Sequence, residues 1–232
     1  MSGGSGLGPS FDPQRFAPPR PGQPGPDRAP ASGFTAVRRL WLQAGALISG
    51  FVLMLWAIEG IDALDARDYD QAGIQPREAD GLWGILWAPL LHHGWNHLIS
   101  NTVPVLVLGF LVLAAGIGRG LVATAIIWVV AGVGTWLTGA EGTVHIGASA
   151  LVFGWLTFLI LRGWFARNAW QIVLGLVVLV FYGSLLWGVL PGQDGISWQG
   201  HLFGAIGGVV AAWAPHTRQR AVAQRTPPPA RF

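Results

Sequence analysis

Six apolar stretches recur along the chain: Leu40–Ile58, Leu98–Ile117, Leu121–Leu137, Ala148–Leu161, Ala169–Leu190 and His201–Trp213. A spanning helix needs about 20 residues to cross a bilayer, so the pattern predicts a helix at each stretch and six crossings. Two stretches fall short. The fourth and sixth hold about 14 residues each, within glycine-rich sequence. Their helices are expected to begin below the membrane surface, inside the bundle, because bare helix ends facing lipid would leave backbone groups unsatisfied. Ahead of these stretches, residues 1–35 are dominated by Gly, Pro, Ser and Ala. They cannot bury enough surface to fold, which predicts a disordered tail. The tail lacks the short apolar core of a signal peptide, so the chain is expected to stay in the membrane. The pattern therefore divides the chain into that tail, a six-helix membrane domain over 36–215 and a short basic tail over 216–232.

Composition agrees with this picture. Of 232 residues, 52% are hydrophobic and 11% charged, against about a quarter charged in an ordinary soluble domain. The sequence pI is near 10.5, yet there is no lysine and the arginines are scattered rather than gathered into a stripe. Nucleic-acid binding is therefore a weak reading, and none is expected. Without cysteine the chain has no thiolate metal site and no cysteine nucleophile.

Arginine placement orients the helices, because cytoplasmic loops retain positive charge. With the N-terminus inside, every arginine except Arg67 and Arg77 falls on the inner side. Those two share the segment Glu59–His93 with Asp62, Asp65, Asp68, Asp70, Glu78 and Asp80, which suits an external loop. An all-α membrane protein in the plasma membrane, with both termini cytoplasmic, is the consistent solution.

In that topology the second, fourth and sixth helices run in the same direction and start on the external side. Their starts carry His97, Ser149 and His201, separated by two equal intervals of 52 residues. Ionisable and polar groups inside a membrane are costly, so each is a functional candidate. A serine hydroxyl becomes a good nucleophile when a neighbouring base takes its proton, and histidine does this near neutral pH. Ser149 follows Gly147 and Ala148, and His201 is the matching base. Gly204 and Gly208 lie on the histidine's helical face, where small residues let a neighbouring helix come close. His97 and Asn101 are i,i+4 neighbours. An imidazole N–H and a carboxamide N–H₂ supply the donors that a developing oxyanion requires, and the Ser149 backbone N–H at a helix start adds another.

These residues resemble the rhomboid family of intramembrane serine proteases over about Leu40 to Trp213. Three motifs in order carry the resemblance: His97 with Asn101, the Gly147–Ser149 turn, and His201 followed by Gly204 and Gly208. The resemblance implies a six-helix rhomboid-like bundle, a Ser149–His201 dyad and an oxyanion hole of His97, Asn101 and the backbone near Ser149. It further implies transmembrane proteins as substrates, the lipid bilayer as surroundings and neither metal nor cofactor. His92 matches a histidine often seen in the family, and Phe153 stands where members often place an aromatic against the catalytic histidine. There are departures. Ala150 replaces a common glycine, the first external loop lacks a Trp-Arg pair, and the second helix lacks a glutamate that some members carry.

Two other chemistries compete. His93 and His97 have the i,i+4 spacing of a zinc helix, but Gly94 stands where such a helix needs its glutamate. Asp194, seven residues before His201, invites a triad but reads as a solvated loop acid beside Gly192 and Gly195. Glu141 and His145 flank the fourth helix, with loop structuring as the expected role of His145. A transporter or an inactive rhomboid-like binding protein is the non-enzyme alternative, since six helices alone do not specify function.

Overall fold

The computed structural model describes residues 33–65, 69–192 and 195–225, with side chains described as far as Ala214. Residues 1–32, Arg67, Asp68 and Asp194 lie outside the described residues, as do the side chains of the basic tail. Chain contacts separate a unit up to Ala36, described only as the first turn of a helix, from the unit Val37–Phe232.

The described residues form seven helices in order: α1 Gly33–Asp62, a single turn α2 Gly84–Trp87, α3 Gly94–Ala114, α4 Ile117–Thr138, α5 Ser149–Ala166, α6 Ala169–Tyr182 and α7 Trp198–Arg225. Among the described residues five helices are long and apolar enough to cross a membrane: α1, α3, α4, α5 and the run Ala169–Val189 that extends α6. The helix of the sixth stretch forms as well, but not with the expected bounds. It starts at Trp198 and continues through Trp213 into the tail segment as far as Arg225. The fourth helix likewise spans 18 residues rather than about 14. For α5 the physical reason is that hydropathy ends at Arg162, whereas arginine continues a helix readily and the helix runs on to Ala166. At the other end α1 begins at Gly33, inside the segment assigned to the tail, because no proline interrupts the sequence from there to Asp62.

α5 sits at the centre and is buried on nearly every side, from Leu151 to Leu156 without interruption, as expected of a helix that is apolar all round. α7 approaches it through small residues. A Cβ on Gly204 would collide with the Ala150 carbonyl, and one on Gly208 with the Gly154 carbonyl and the Thr157 hydroxyl. The Thr157 hydroxyl donates across the contact to the Ala205 carbonyl at 2.8 Å. The other side of α7 meets α4, where Gly134 lies under Phe203 and Gly207 against Ile127. α1 buries Ala44, Ile48, Val52 and Leu55, a stripe at helical spacing, and Ile48 fills the space left by Gly109 of α3. α6 is peripheral, with only Gly175 and Val178 buried.

The segment between α1 and α3 is more ordered than a bare loop. Its described residues hold three 3-10 turns as well as α2 and are fastened to α4 by side-chain donors. Trp128 and Trp136 donate to the carbonyls of Ile85 and Glu78 at 2.7 and 2.9 Å. Arg77 donates to the Leu137 and Gly139 carbonyls at 3.2 and 2.9 Å and pairs with Glu141 at 3.0 Å. These two carbonyls sit at the C-terminal end of α4, where the helix leaves acceptors unused.

Candidate active site

Ser149 is the first residue of α5, and the turn that delivers it needs a glycine. Gly147 has φ +118°, a conformation costly for any side chain, and a Cβ there would meet the His97 ring. Its N–H donates to the Ala88 carbonyl at 2.8 Å, which fixes the turn to the segment before α3. Ser149 therefore emerges against His97 on one side and α7 on the other.

From α7, His201 Nε2 lies 2.9 Å from Ser149 Oγ, and His201 Nδ1 lies 2.9 Å from the Gly188 carbonyl. A carbonyl only accepts, so Nδ1 carries the proton and Nε2 presents its lone pair to the serine O–H. That is the tautomer a general base needs, set without a carboxylate. Phe153, one turn along α5 from Ser149, stacks on the imidazole with ring centroids 4.0 Å apart and planes 11° from parallel. Gly188 makes room for this arrangement, since a Cβ there would press on Phe153 and on His201 Nδ1.

The donors come from α3. His97 Nδ1 accepts the backbone N–H of His93 at 3.3 Å, a first-turn residue reaching back to an otherwise unused N–H. The proton then sits on Nε2, the nitrogen beside Gly147. Asn101 is buried, and its Nδ2 has no hydrogen-bond partner; a buried donor left open is expensive unless something arrives to accept from it. Ser149, His201, His97, Asn101 and Phe153 all line one cavity of about 640 Å³. Beside Ser149 a second, smaller space of about 30 Å³ adjoins Thr135 and Gly200.

His92 stands behind this site. It is buried, meets His97 edge-on at 5.1 Å, and its Nε2 accepts the Ala148 N–H at 3.4 Å. Burial first, and then the neighbouring His97, lower its pKa to about 3. The Leu90 carbonyl pulls the other way but is not in hydrogen-bonding geometry, so Nδ1 has no full partner.

Sequence reasoning thus named residues that the structure gathers around one cavity, with Gly204 and Gly208 at the α5–α7 contact. It missed Gly188. The chemistry there belongs to a backbone carbonyl, which leaves no trace in residue type. The two histidines of the zinc spacing have separate commitments: His93 lies 2.7 Å from Asp70, while His97 accepts from the His93 backbone. Among the described residues no group of three or more metal-ligating side chains assembles.

Comparison with known proteins agrees with the gathered motifs. Residues 79–218 match the family model of the Rhomboid domain. A relative in Mycobacterium tuberculosis, named only as an uncharacterized protein, is 52% identical over 199 residues, covering 81% of this chain and 83% of its own. Another, in Mycobacterium leprae, is 48% identical over 197 residues, covering 80% and 78%. A Toxoplasma gondii protein named Rhomboid-like protease 5 is 31% identical over 144 residues, which is 57% of this chain and 16% of that one. No solved structure matches the chain.

Proposed function

The chain belongs to the rhomboid family, and from that premise we propose that it is a serine endopeptidase that cleaves transmembrane segments of other membrane proteins with a Ser149–His201 dyad. The observation that supports this most is the 2.9 Å contact between His201 Nε2 and Ser149 Oγ, with the opposite ring nitrogen held by the Gly188 carbonyl.

In the proposed topology α7 is the sixth span, both termini are cytoplasmic and the site opens toward the outside of the plasma membrane. A substrate segment arrives from the bilayer. An apolar groove of about 530 Å³ between α3 and α6, lined by Val107, Leu111, Val177, Phe181 and Tyr182 among others, favours access there, since α6 is the least buried of the spans. The segment must unwind locally, because a helical carbonyl is already hydrogen-bonded and covered. Ser149 Oγ then attacks the carbonyl carbon as its proton passes to His201 Nε2. The His97 Nε2–H, an Asn101 N–H and the Ser149 backbone N–H meet the oxyanion. His201 returns the proton to the leaving amine, and the acyl-enzyme is hydrolysed by the reverse sequence with water as nucleophile. No step calls for a metal or a cofactor.

The test is cleavage of a transmembrane reporter by the purified protein in lipid vesicles, beside Ser149→Ala. Cleavage by the wild type alone, with a fluorophosphonate adduct mapped to Ser149, is the expected result. Equal cleavage by Ser149→Ala would refute the assignment.

A further inference from the structure

One helical turn before the dyad residues, the same two segments carry a second serine–histidine contact with the partners exchanged. His145 precedes Ser149 by four residues and Ser197 precedes His201 by four. His145 Nδ1 lies 2.7 Å from Ser197 Oγ.

The direction of the hydrogen bonds follows from their neighbours. Ser197 stands directly before α7; its Oγ accepts the Gly200 N–H at 3.2 Å and its carbonyl accepts the His201 N–H at 3.1 Å. This is an N-cap, and it leaves the hydroxyl proton to donate to His145 Nδ1. The imidazole proton is then on Nε2, which donates to Thr143 Oγ1 at 2.9 Å. Thr143 in turn donates to the Ala140 carbonyl at 2.6 Å. Every donor finds an acceptor only in this direction and only with a neutral ring. Burial lowers the pKa of His145 below the ordinary histidine value, which favours that neutral form. The backbone of His145 also exchanges both hydrogen bonds with Ile74, each 3.0 Å. One residue thus ties the segment before α3, the turn that delivers Ser149 and the start of α7.

We propose that Ser197 and His145 are positioning residues for the dyad: their hydrogen bond sets the axial height of α7 and so holds His201 Nε2 opposite Ser149 Oγ. The inference rests on the protease reading above. It answers a mechanical need of the fold, because α7 meets its neighbours through Gly204, Gly207 and Gly208. Such faces allow close approach. Midway along α7 its height is held by the Thr157 hydroxyl on the Ala205 carbonyl and by Phe203 over Gly134, whereas at its start, four residues from His201, it is the Ser197–His145 bond that fastens it. A displacement of about 1 Å at a reacting pair costs about 10²-fold in rate. Ser197 is not itself placed as a nucleophile, because its oxygen is engaged by the Gly200 N–H.

The experiment measures the rate of fluorophosphonate labelling of Ser149, and kcat and KM on a transmembrane reporter, for the full chain in lipid vesicles. The variants are His145→Leu, Ser197→Gly, the double variant and Ser197→Thr. Glycine caps a helix nearly as well as serine, so Ser197→Gly removes the link while sparing the cap. The expected result is a loss of about 10- to 10²-fold in labelling rate and kcat for each single variant, with KM unchanged. The double variant should be no slower than either single, since both remove one interaction, and Ser197→Thr should retain the wild-type rate. Single variants that label at the wild-type rate, or losses that multiply in the double variant, overturn the positioning role alone. Wild-type protein that does not label at Ser149 overturns the protease reading beneath it.

Discussion

Phe153 lies flat on the imidazole of His201, at 4.0 Å and 11°, leaving both ring nitrogens in the plane and free to bond at their edges. The stack does more than fill space. In the proposed mechanism His201 takes the serine proton and becomes a cation over an aromatic face, an interaction made most strongly in the transition state. Aromatic pairs of this kind contribute about 0.5–1.5 kcal/mol beyond burial. Phe153→Leu is therefore expected to lower kcat by about 2- to 10-fold with little change in KM, read by reporter cleavage. A rise in KM with kcat intact would assign Phe153 to substrate binding instead.

The open donor on Asn101 yields a second expectation. Its Nδ2 is buried without a partner, and His97 offers Nε2–H to the same cavity. Loss of one oxyanion donor typically costs about 10²- to 10³-fold in kcat. Asn101→Ala and His97→Ala should each show a loss of that size while the protein still elutes as a folded species. Asn101→Asp should be at least as slow, since a carboxylate places an acceptor where a donor is required. Full activity in Asn101→Asp would remove Asn101 from the site.

These residues were legible in the sequence because a lone polar group at the start of an apolar stretch stands out against its surroundings. Ser149, His201 and His97 all have that signature. What surrounds them was not. The Gly188 carbonyl that orients His201 has no side-chain mark. The Ser197–His145 bond joins two residues that each read as ordinary loop polars, and only the approach of α7 to α5 brings them together. Helix ends differ from the apolar stretches for a related reason: apolarity reports which residues are fit for lipid or core, whereas α5 continues past the polar Arg162 until the left-handed Arg167 stops it. The segment before α3 read as a loop because its structure consists of single turns held by Arg77, Trp128 and Trp136, contacts far apart in sequence.

Topology is testable at the two ends of α4. The chain has no cysteine, so a single introduced cysteine reports cleanly. Glu141 lies just past the end of α4 with its side chain 80% exposed, and Arg119 lies exposed at the beginning of the same helix. In intact cells Glu141→Cys is expected to react with an impermeant thiol reagent, and Arg119→Cys only after the cells are opened. The opposite pattern would invert the topology and move the site opening to the cytoplasmic side.

The last expectation concerns acid, through His92. The residue is 2% exposed, and burial holds its folded pKa at about 3, well below the ordinary 6.5. Between those values the unfolded chain binds a proton that the folded protein refuses, so folding stability falls as pH falls. The sign is fixed: the contribution is fully present above about pH 6.5 and is lost progressively toward about pH 3, with a slope of about 1.4 kcal/mol per pH unit for one such group. His92→Gln removes the titration, and its amide oxygen can still accept the Ala148 N–H. Thermal unfolding of the two proteins between about pH 7.5 and pH 4.5 should show a wild-type Tm that declines more steeply than that of His92→Gln. Some decline will persist in the variant, because burial lowers the pKa of His145 in the same direction. Parallel curves would mean that His92 takes up its proton in the folded protein at an ordinary pH, and that its buried place behind His97 is not held by a neutral ring.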